Sequence, residues 1–315
     1  MKFRIAFLTA NYFGYTLLYY LLKNEFVKTN CEVLLYTLHP ESKTKMYDGI
    51  KTFYFRNLYN KYNNITKFYL IKHITHEKDK EKFFENNLDL LIVAGWRQII
   101  PKDILYYPRR NTIGFHPAPL PKGRGPAPLI NTILLGWKKT AMSLYYLDEG
   151  IDSGDIIEQF EIDVSSNNYV FDLYKKMIKA GVLLLRKNIE SILFDKVKAY
   201  KQQEENAYYF PKLSLKDNEI FREDIVNIDK ANRKIRAFSF PYKGAFIRIN
   251  KDYILRIYKG YFIKFYNKQK NYLELDIDVL KGLAFFGNIL KNLKIKINND
   301  ILLNLELGKV EKVLS

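Results

Sequence analysis

Two short segments hold most of the residues in this chain that could do chemistry. The first, residues 114–128, reads GFHPAPLPKGRGPAP and carries His116 among five prolines and three glycines. That composition makes a stiff loop. The second, residues 147–155, reads LDEGIDSGD and sets Asp148, Glu149, Asp152 and Asp155 around two glycines in a tight turn. An imidazole changes charge near neutral pH, and a carboxylate beside it can hold it charged or orient it for proton transfer. Together the two groups could take a proton from an attacking nucleophile and steady negative charge on a carbonyl oxygen. Taken on residue types alone, a turn histidine before proline and a solvated acidic turn compete with that reading.

Other chemistries find little support. The single cysteine, Cys31, excludes an internal disulfide framework and a zinc cluster built from thiolates. His39, His73 and His76 have no acids near them in ligand spacing, so no metal is expected. After the first apolar run the chain reads TANYFG (9–14), without the further glycines that let a pyrophosphate approach the backbone. No phosphate-cradling P-loop follows. NAD and ATP chemistry are therefore not expected.

Open α/β sheets place ligands beyond the carboxyl ends of their strands, and the pattern here predicts such a sheet. Residues 2–10, 31–38, 88–95, 112–116 and 140–147 read as strands. The run LDLLIVAG (88–95) is apolar throughout, as in a strand buried on both faces. Helical spacing appears over 15–27, 76–87 and 126–135, and a long helix is predicted from the caps Ser165, Ser166 and Asn167 through Leu193. The loops at 116 and 147 are then expected to meet at one sheet edge. From about Ala207 the chain becomes β-rich, with strands predicted at 245–249, 253–258, 261–266 and 301–307. The fold class is thus α/β: a Rossmann-like, mostly parallel sheet over residues 1–207, followed by a smaller, barrel-like domain over 208–315.

With 315 residues, 48% of them hydrophobic and 27% charged, the chain can bury a substantial core and remain globular. Its N-terminal apolar run reads as a first strand rather than a signal peptide, and no stretch is long enough to span a membrane. A reducing cytoplasm is the expected compartment. The formal charge of +17 would suit nucleic acid. Its lysines are scattered, however, and nucleotide phosphates would satisfy the charge as well as RNA would.

At these motifs the chain resembles the folate-dependent formyltransferases, a family that includes methionyl-tRNA formyltransferase and the sugar N-formyltransferases. The family pattern is Asn-x-His-x(3)-Leu-Pro, an Arg-Gly turn, and then Asp-x-Gly-x-Asp-x-Gly-Asp. The matching positions are His116, Leu120, Pro121, Arg124 and Gly125, then Asp148, Gly150, Asp152, Gly154 and Asp155. The run LLIVAG followed by WRQIIP is similar to the family's strand and folate-pocket turn, and FDLYKKM (171–177) to the helix after the catalytic loop. RAFSFPYKGAF (236–246) resembles the opening of the C-terminal domain of the tRNA and sugar enzymes. One departure stands out: Gly114 occupies the place of the family's catalytic asparagine, which helps to hold the oxyanion. Losing one such donor typically costs about 10²–10³ in rate.

The resemblance implies 10-formyltetrahydrofolate as formyl donor. Its pterin ring would lie against Gly95, Trp96, Arg97, Gln98 and Ile99, with Asp148, Gly150 and Ile151 closing the other side. It also implies catalysis at His116 and Asp152, with Gly114 at the altered position. Acceptor contacts are expected from Asn11 and Tyr12 at the sheet edge and from Lys122 and Arg124, the basic residues bordering the motif loop, whose alternative role is to brace that loop. The small-molecule acceptor expected is the primary amine of a nucleotide-linked amino sugar. Region 38–55 has only scattered lysines where the tRNA enzymes carry a basic insertion. Charged initiator tRNA is the alternative acceptor, and a catalytically impaired folate- or RNA-binding homologue is a further one. The sequence leaves the oligomeric state open.

Overall fold

The structure, a computed structural model, describes residues 2–44, 49–214, 216–249, 251–264, 289–298 and 301–312. In chain order the elements begin β1 (Phe3–Leu8), α1 (Tyr12–Leu22), α2 (Glu25–Asn30), β2 (Cys31–Leu38), α3 (Thr52–Lys61), β3 (Ile65–Ile71), α4 (Glu77–Phe84) and β4 (Leu90–Val93). There follow α5 (Lys102–Leu105), β5 (Thr112–His116), β6 (Lys122–Arg124), α6 (Pro128–Leu134), β7 (Lys139–Tyr146), β8 (Ile156–Asp163), α7 (Val170–Leu193) and β9 (Tyr208–Tyr209). The last are α8 (Arg222–Val226), α9 (Ile228–Phe238), β10 (Ala245–Arg248), β11 (Tyr253–Lys264), β12 (Ile289–Asn298) and β13 (Ile301–Lys312).

Contacts divide the chain into two compact units. One holds Met1–Pro128, Lys139–Asp163 and Lys175–Phe210; the other holds Leu129–Lys138, Val164–Tyr174 and Pro211–Ser315. Both are discontinuous in sequence.

The first unit is built on a seven-stranded sheet of order β3-β2-β1-β4-β5-β7-β8. Strands β3 to β5 in that order run parallel, while β7 and β8 are antiparallel additions. This is the Rossmann-like sheet that the alternating pattern predicts. Strand β4 has Leu90, Leu91 and Ile92 fully buried, as its uninterrupted apolar sequence requires. Several elements carried too weak a signal to be anticipated, among them α3, β3 and β8. Strand β3 (ITKFYLI) is a sheet edge with only its two end residues buried, so its alternation is blurred.

The single helix expected over 15–27 is two helices. Asn11 caps α1, its side chain accepting from Gly14 N at 3.0 Å, so the helix starts before Tyr15. Asn24 then accepts from Val27 N at 3.1 Å and opens α2. An asparagine that captures a backbone N–H in this way starts a helix more readily than it continues one. The long helix α7 runs to Leu193 as expected, and at Gly181 an added Cβ would sit 3.0 Å from the Phe13 ring of α1.

In the second unit the described strands form a four-stranded antiparallel sheet, order β10-β11-β13-β12. The two strands expected at 253–258 and 261–266 are one, β11, with a register irregularity around Lys259. Residues 265 and 266 lie outside those described. Helices α8 and α9 interrupt the β-rich pattern. Helix α9 is legible in retrospect, because Ala231, Ile235 and Phe238 are buried at helical spacing and Asn227 caps it by accepting from Lys230 N. Among the described residues no helix is long and apolar enough to cross a membrane.

Candidate active site

His116 is the last residue of β5, where the sheet hands the chain to the Pro-rich loop. Its ring is 6% exposed. Nε2 lies 2.7 Å from the Gly123 carbonyl, and Nδ1 lies 3.4 Å from Asp152 Oδ2. A carbonyl can only accept, so Nε2 carries a proton and Nδ1 faces the carboxylate. The stiff loop therefore supplies both ends of the arrangement: the histidine at its start and the oxygen that fixes the ring.

Asp152 reaches this place by a route the sequence did not reveal. Because β7 is antiparallel to β5, Tyr146 pairs with Ile113 and the acidic loop leaves the sheet beside Ile113 rather than beside His116. The two loops do not share one sheet edge, as the alternating pattern had suggested. The acidic loop folds back instead, with Asp152 in the left-handed region at φ 53°. Three bonds hold it there. Asp152 Oδ2 accepts from Gly125 N at 2.8 Å and Oδ1 from the Tyr145 hydroxyl at 2.7 Å, while the Asp152 carbonyl accepts from Gln202 Nε2 at 2.9 Å. Burial, then the charge of Asp152, hold the Tyr145 hydroxyl well above its ordinary pKa, so it stays a donor throughout the neutral range.

Gln202 also bonds the Gly154 carbonyl at 2.7 Å and accepts from Arg124 Nε at 3.0 Å. Arg124 is fully buried and spends further donors on both Glu204 oxygens and the Tyr209 hydroxyl. Its guanidinium braces the loop against the 202–209 segment, with four of its five N–H donors spent on that segment. Lys122, two residues before the brace, is exposed. Tyr145, Gln202, Glu204 and Tyr209 were not singled out from the sequence. They lie outside the motif blocks, and only the tertiary fold brings them in.

His116 and Asp152 line a cleft of about 680 Å³. Gly95, Trp96, Gln98 and Ile99 form one side with residues 100–102, and Asp148, Gly150 and Ile151 form the other. Arg97 is exposed and outside the lining. Gln98 turns its amide away from the cleft, accepting from Ile74 N and donating to Thr44 Oγ1, so it fixes the turn rather than facing a ligand. Ile99 and Ile151 are 88% and 63% exposed at the mouth. The indole Nε1 of Trp96 is buried without a hydrogen-bond partner among the described residues. Asp148 caps its own loop, accepting from Gly150 N and the Ser153 hydroxyl. Asn11 packs beside the turn, where a Cβ on Gly95 would lie 1.7 Å from its Oδ1. Tyr12 is half exposed at the start of α1.

The altered position has a physical explanation. A Cβ built on Gly114 would lie 2.2 Å from Leu147 Cδ1 and 3.3 Å from Leu147 Cγ. Leu147 packs against Leu120, Tyr145 and Ile156. The room that a side chain at 114 would need is occupied by leucine. Gly114→Asn is therefore expected to destabilise the fold by about 1–3 kcal/mol through overpacking. In a Leu147→Ala background that cost should shrink by at least about 0.5 kcal/mol, the signature of two groups sharing one space. Urea melts of the four proteins in this cycle measure it; additive costs would show that Leu147 is not the obstacle.

The first unit is thus an α/β fold with a buried histidine beside a carboxylate on the wall of a cleft. Residues 46–189 match the family model described as formyl transferase. The likeness read from the motifs is borne out over this segment. The chain is 37% identical over 176 residues to a methionyl-tRNA formyltransferase of Wolbachia pipientis subsp. Culex pipiens, covering 56% of each. It is 35% identical over 133 residues to the methionyl-tRNA formyltransferase of Bacillus subtilis, covering 42% of each. The matched part thus spans about half the length of these curated relatives. Among solved structures, the N-formyltransferase from Helicobacter canadensis, in complex with folinic acid and dTDP-3-aminofucose, aligns with 99% of this chain and 100% of its own at TM-score 0.62 and 19% identity. A 4-N formyltransferase from Francisella tularensis aligns with 79% of this chain and 93% of its own at TM-score 0.60 and 24% identity. At these identities the structural likeness establishes the shared fold.

Proposed function

We propose that this protein is a folate-dependent N-formyltransferase acting on the primary amine of a nucleotide-linked amino sugar. The observation that carries the reading is His116 fixed between the Gly123 carbonyl and Asp152 on the wall of the cleft. The cleft fits a reduced folate: its volume lies in the usual range for small-ligand sites, and its wall offers apolar side chains and the unpartnered Trp96 indole N–H. 10-Formyltetrahydrofolate, when bound there, supplies an activated formyl group, so no metal is needed to polarise it.

The chain's own residues do the rest. The Nε2–H of His116, aimed by its bond to Gly123, is the donor that a carbonyl oxygen in the cleft can share as negative charge develops on it. Asp152 faces the ring's other nitrogen and supports its charge. It also lies where the proton lost by the attacking amine can be taken up, directly or through water. Tyr145 and Gly125 N keep that carboxylate in place while it does so. With Leu147 filling the space beside Gly114, His116 carries the oxyanion without an asparagine amide. The buried, unpaired thiol of Cys31 fits a reducing cytoplasm.

The donor is tested by thermal denaturation. A formylated folate analogue should raise the melting temperature, because a ligand bound only to the native state stabilises it. NADH and ATP should leave it unchanged. A shift with NADH and none with the folate would overturn the assignment.

A second reading, charged initiator tRNA as acceptor, is favoured by the names of the Wolbachia and Bacillus relatives. Salt separates the two. Many phosphate contacts would make log affinity fall by roughly 0.7–0.9 per contact against log salt, whereas one or two phosphates give a shallow slope. The shallow slope is expected, with the amine entering from the Asn11 and Tyr12 side. Formylation of charged tRNA that rivals the best amino sugar and collapses with salt would reverse the choice. No transfer to any amine, with folate still bound, would leave a folate-binding homologue.

A further inference from the structure

A second cavity, in the other compact unit, carries a distinct chemistry. It has a volume of about 190 Å³, and its lining includes Lys138, Ser165, Asn168, Asp229, Arg233 and Arg236. Three cationic side chains therefore face it against one carboxylate. Among the described residues neither guanidinium is ion-paired. Arg233 donates through Nε to the Leu134 carbonyl at 3.0 Å, which fixes its direction and leaves its terminal nitrogens for another acceptor. Arg236 Nε is buried and without a hydrogen-bond partner among the described residues. A buried, unpaired guanidinium donor is costly unless an acceptor meets it. Burial acts most strongly against the charged form of Arg236 and Arg233 adds to it, while Tyr169 and the Asp229 carboxylate oppose them; the net effect still disfavours the charge, and an anion in the cavity would offset it.

The lining comes from three separated stretches of chain. Residues 136–138 follow α6, 164–168 precede α7, and Asp229, Arg233 and Arg236 share helix α9. The 164–168 loop is held by its own bonds, Ser165 N to Asn168 Oδ1 at 3.0 Å and Asn168 N to the Ser165 carbonyl at 3.0 Å. The cavity is thus shaped before any ligand enters, and it is small enough to suit one phosphoryl group rather than a whole nucleotide. Forked guanidinium donors match the oxygens of a phosphate well, and two of them with a lysine favour an anion that carries more than one charge.

From these observations we infer that the cavity between helix α9 and the 164–168 loop is a phosphate-binding site, separate from the cleft at His116. It takes the phosphoryl group of a small molecule, either free phosphate or the terminal phosphate of a nucleotide. The inference does not depend on formyl transfer.

Calorimetric titration of the full chain with inorganic phosphate, and separately with uridine diphosphate, tests it at low salt. Saturable binding of phosphate is expected, weakened at least tenfold by Arg233→Ala and by Lys138→Glu. Lys138 is exposed, so its reversal leaves the fold intact even if the Arg233 variant does not fold. Tighter binding of the diphosphate, with the same loss in Lys138→Glu, would assign the site to a nucleotide; equal affinities would assign it to free phosphate. His116→Ala should leave phosphate binding unchanged. Absence of saturable binding at millimolar phosphate, or binding that falls with His116→Ala and not with Lys138→Glu, would overturn the inference.

Discussion

His116→Ala should lower formyl transfer by at least about 10²-fold while leaving the protein folded. The substitution removes the one side chain that joins the Gly123 carbonyl to Asp152. Asp152 keeps its bonds from Gly125 N and the Tyr145 hydroxyl, so the acidic loop retains its anchors. The loss should appear in kcat with little change in the Km for folate, because the ring acts on charge that develops only during reaction. Asp152→Asn separates charge from position: an amide there can still accept from Gly125 N, yet it cannot support a charged ring, and a comparable loss is expected. A folded His116→Ala protein with near-parental turnover would exclude His116 from the chemistry.

Gly154→Ala should be nearly as damaging, although residue 154 touches no ligand. A Cβ at this position would lie 1.9 Å from the Tyr146 carbonyl oxygen and 2.9 Å from its carbon. Both atoms are backbone and cannot rotate away, so either the end of β7 or the acidic loop must move. Overpacking of this kind costs about 1–3 kcal/mol. A displacement of Asp152 by about 1 Å costs on the order of 10² in turnover. Gly150→Ala offers the contrast: its nearest obstacle is the Ser153 hydroxyl at 2.0 Å, which can swing aside. Thermal melts and turnover of the two variants should therefore diverge. If Gly154→Ala behaved like Gly150→Ala, the tight packing of the loop on β7 would have no bearing on activity.

The sequence revealed the sheet and the pair of reacting groups because both are written locally. A run such as LLIV, short and followed closely by Gly95, reads as a buried strand. The histidine and the acidic turn stand out by residue type and spacing. What stayed hidden depends on direction and on distant partners. Nothing in residues 139–146 says that β7 runs antiparallel, yet that direction decides where the acidic loop leaves the sheet. From the sequence Arg124 could be either an acceptor contact or a brace of the motif loop it borders. Its partners Gln202, Glu204 and Tyr209 lie far along the chain, and they make it a brace. Helix α9 was overlooked for a different reason: its 3.6-residue period is present, but the β-rich run around it obscured it. The leucine that fills the space beside Gly114 likewise comes from another strand's end, visible only once the chain is folded.

The brace from Arg124 through Gln202 to the acidic loop bears on where the protein can be cut. An excised version ending with helix α7 at Leu193 would keep every strand of the seven-stranded sheet and would pass for an intact domain by circular dichroism. It would lack Gln202, Glu204 and Tyr209, and with them β9, the partner of β6. Arg124 would then lose the partners of its guanidinium, and the Asp152 and Gly154 carbonyls would lose their shared donor. The smallest working version of the cleft therefore extends to Phe210, whose N–H closes the last bond to the Arg124 carbonyl.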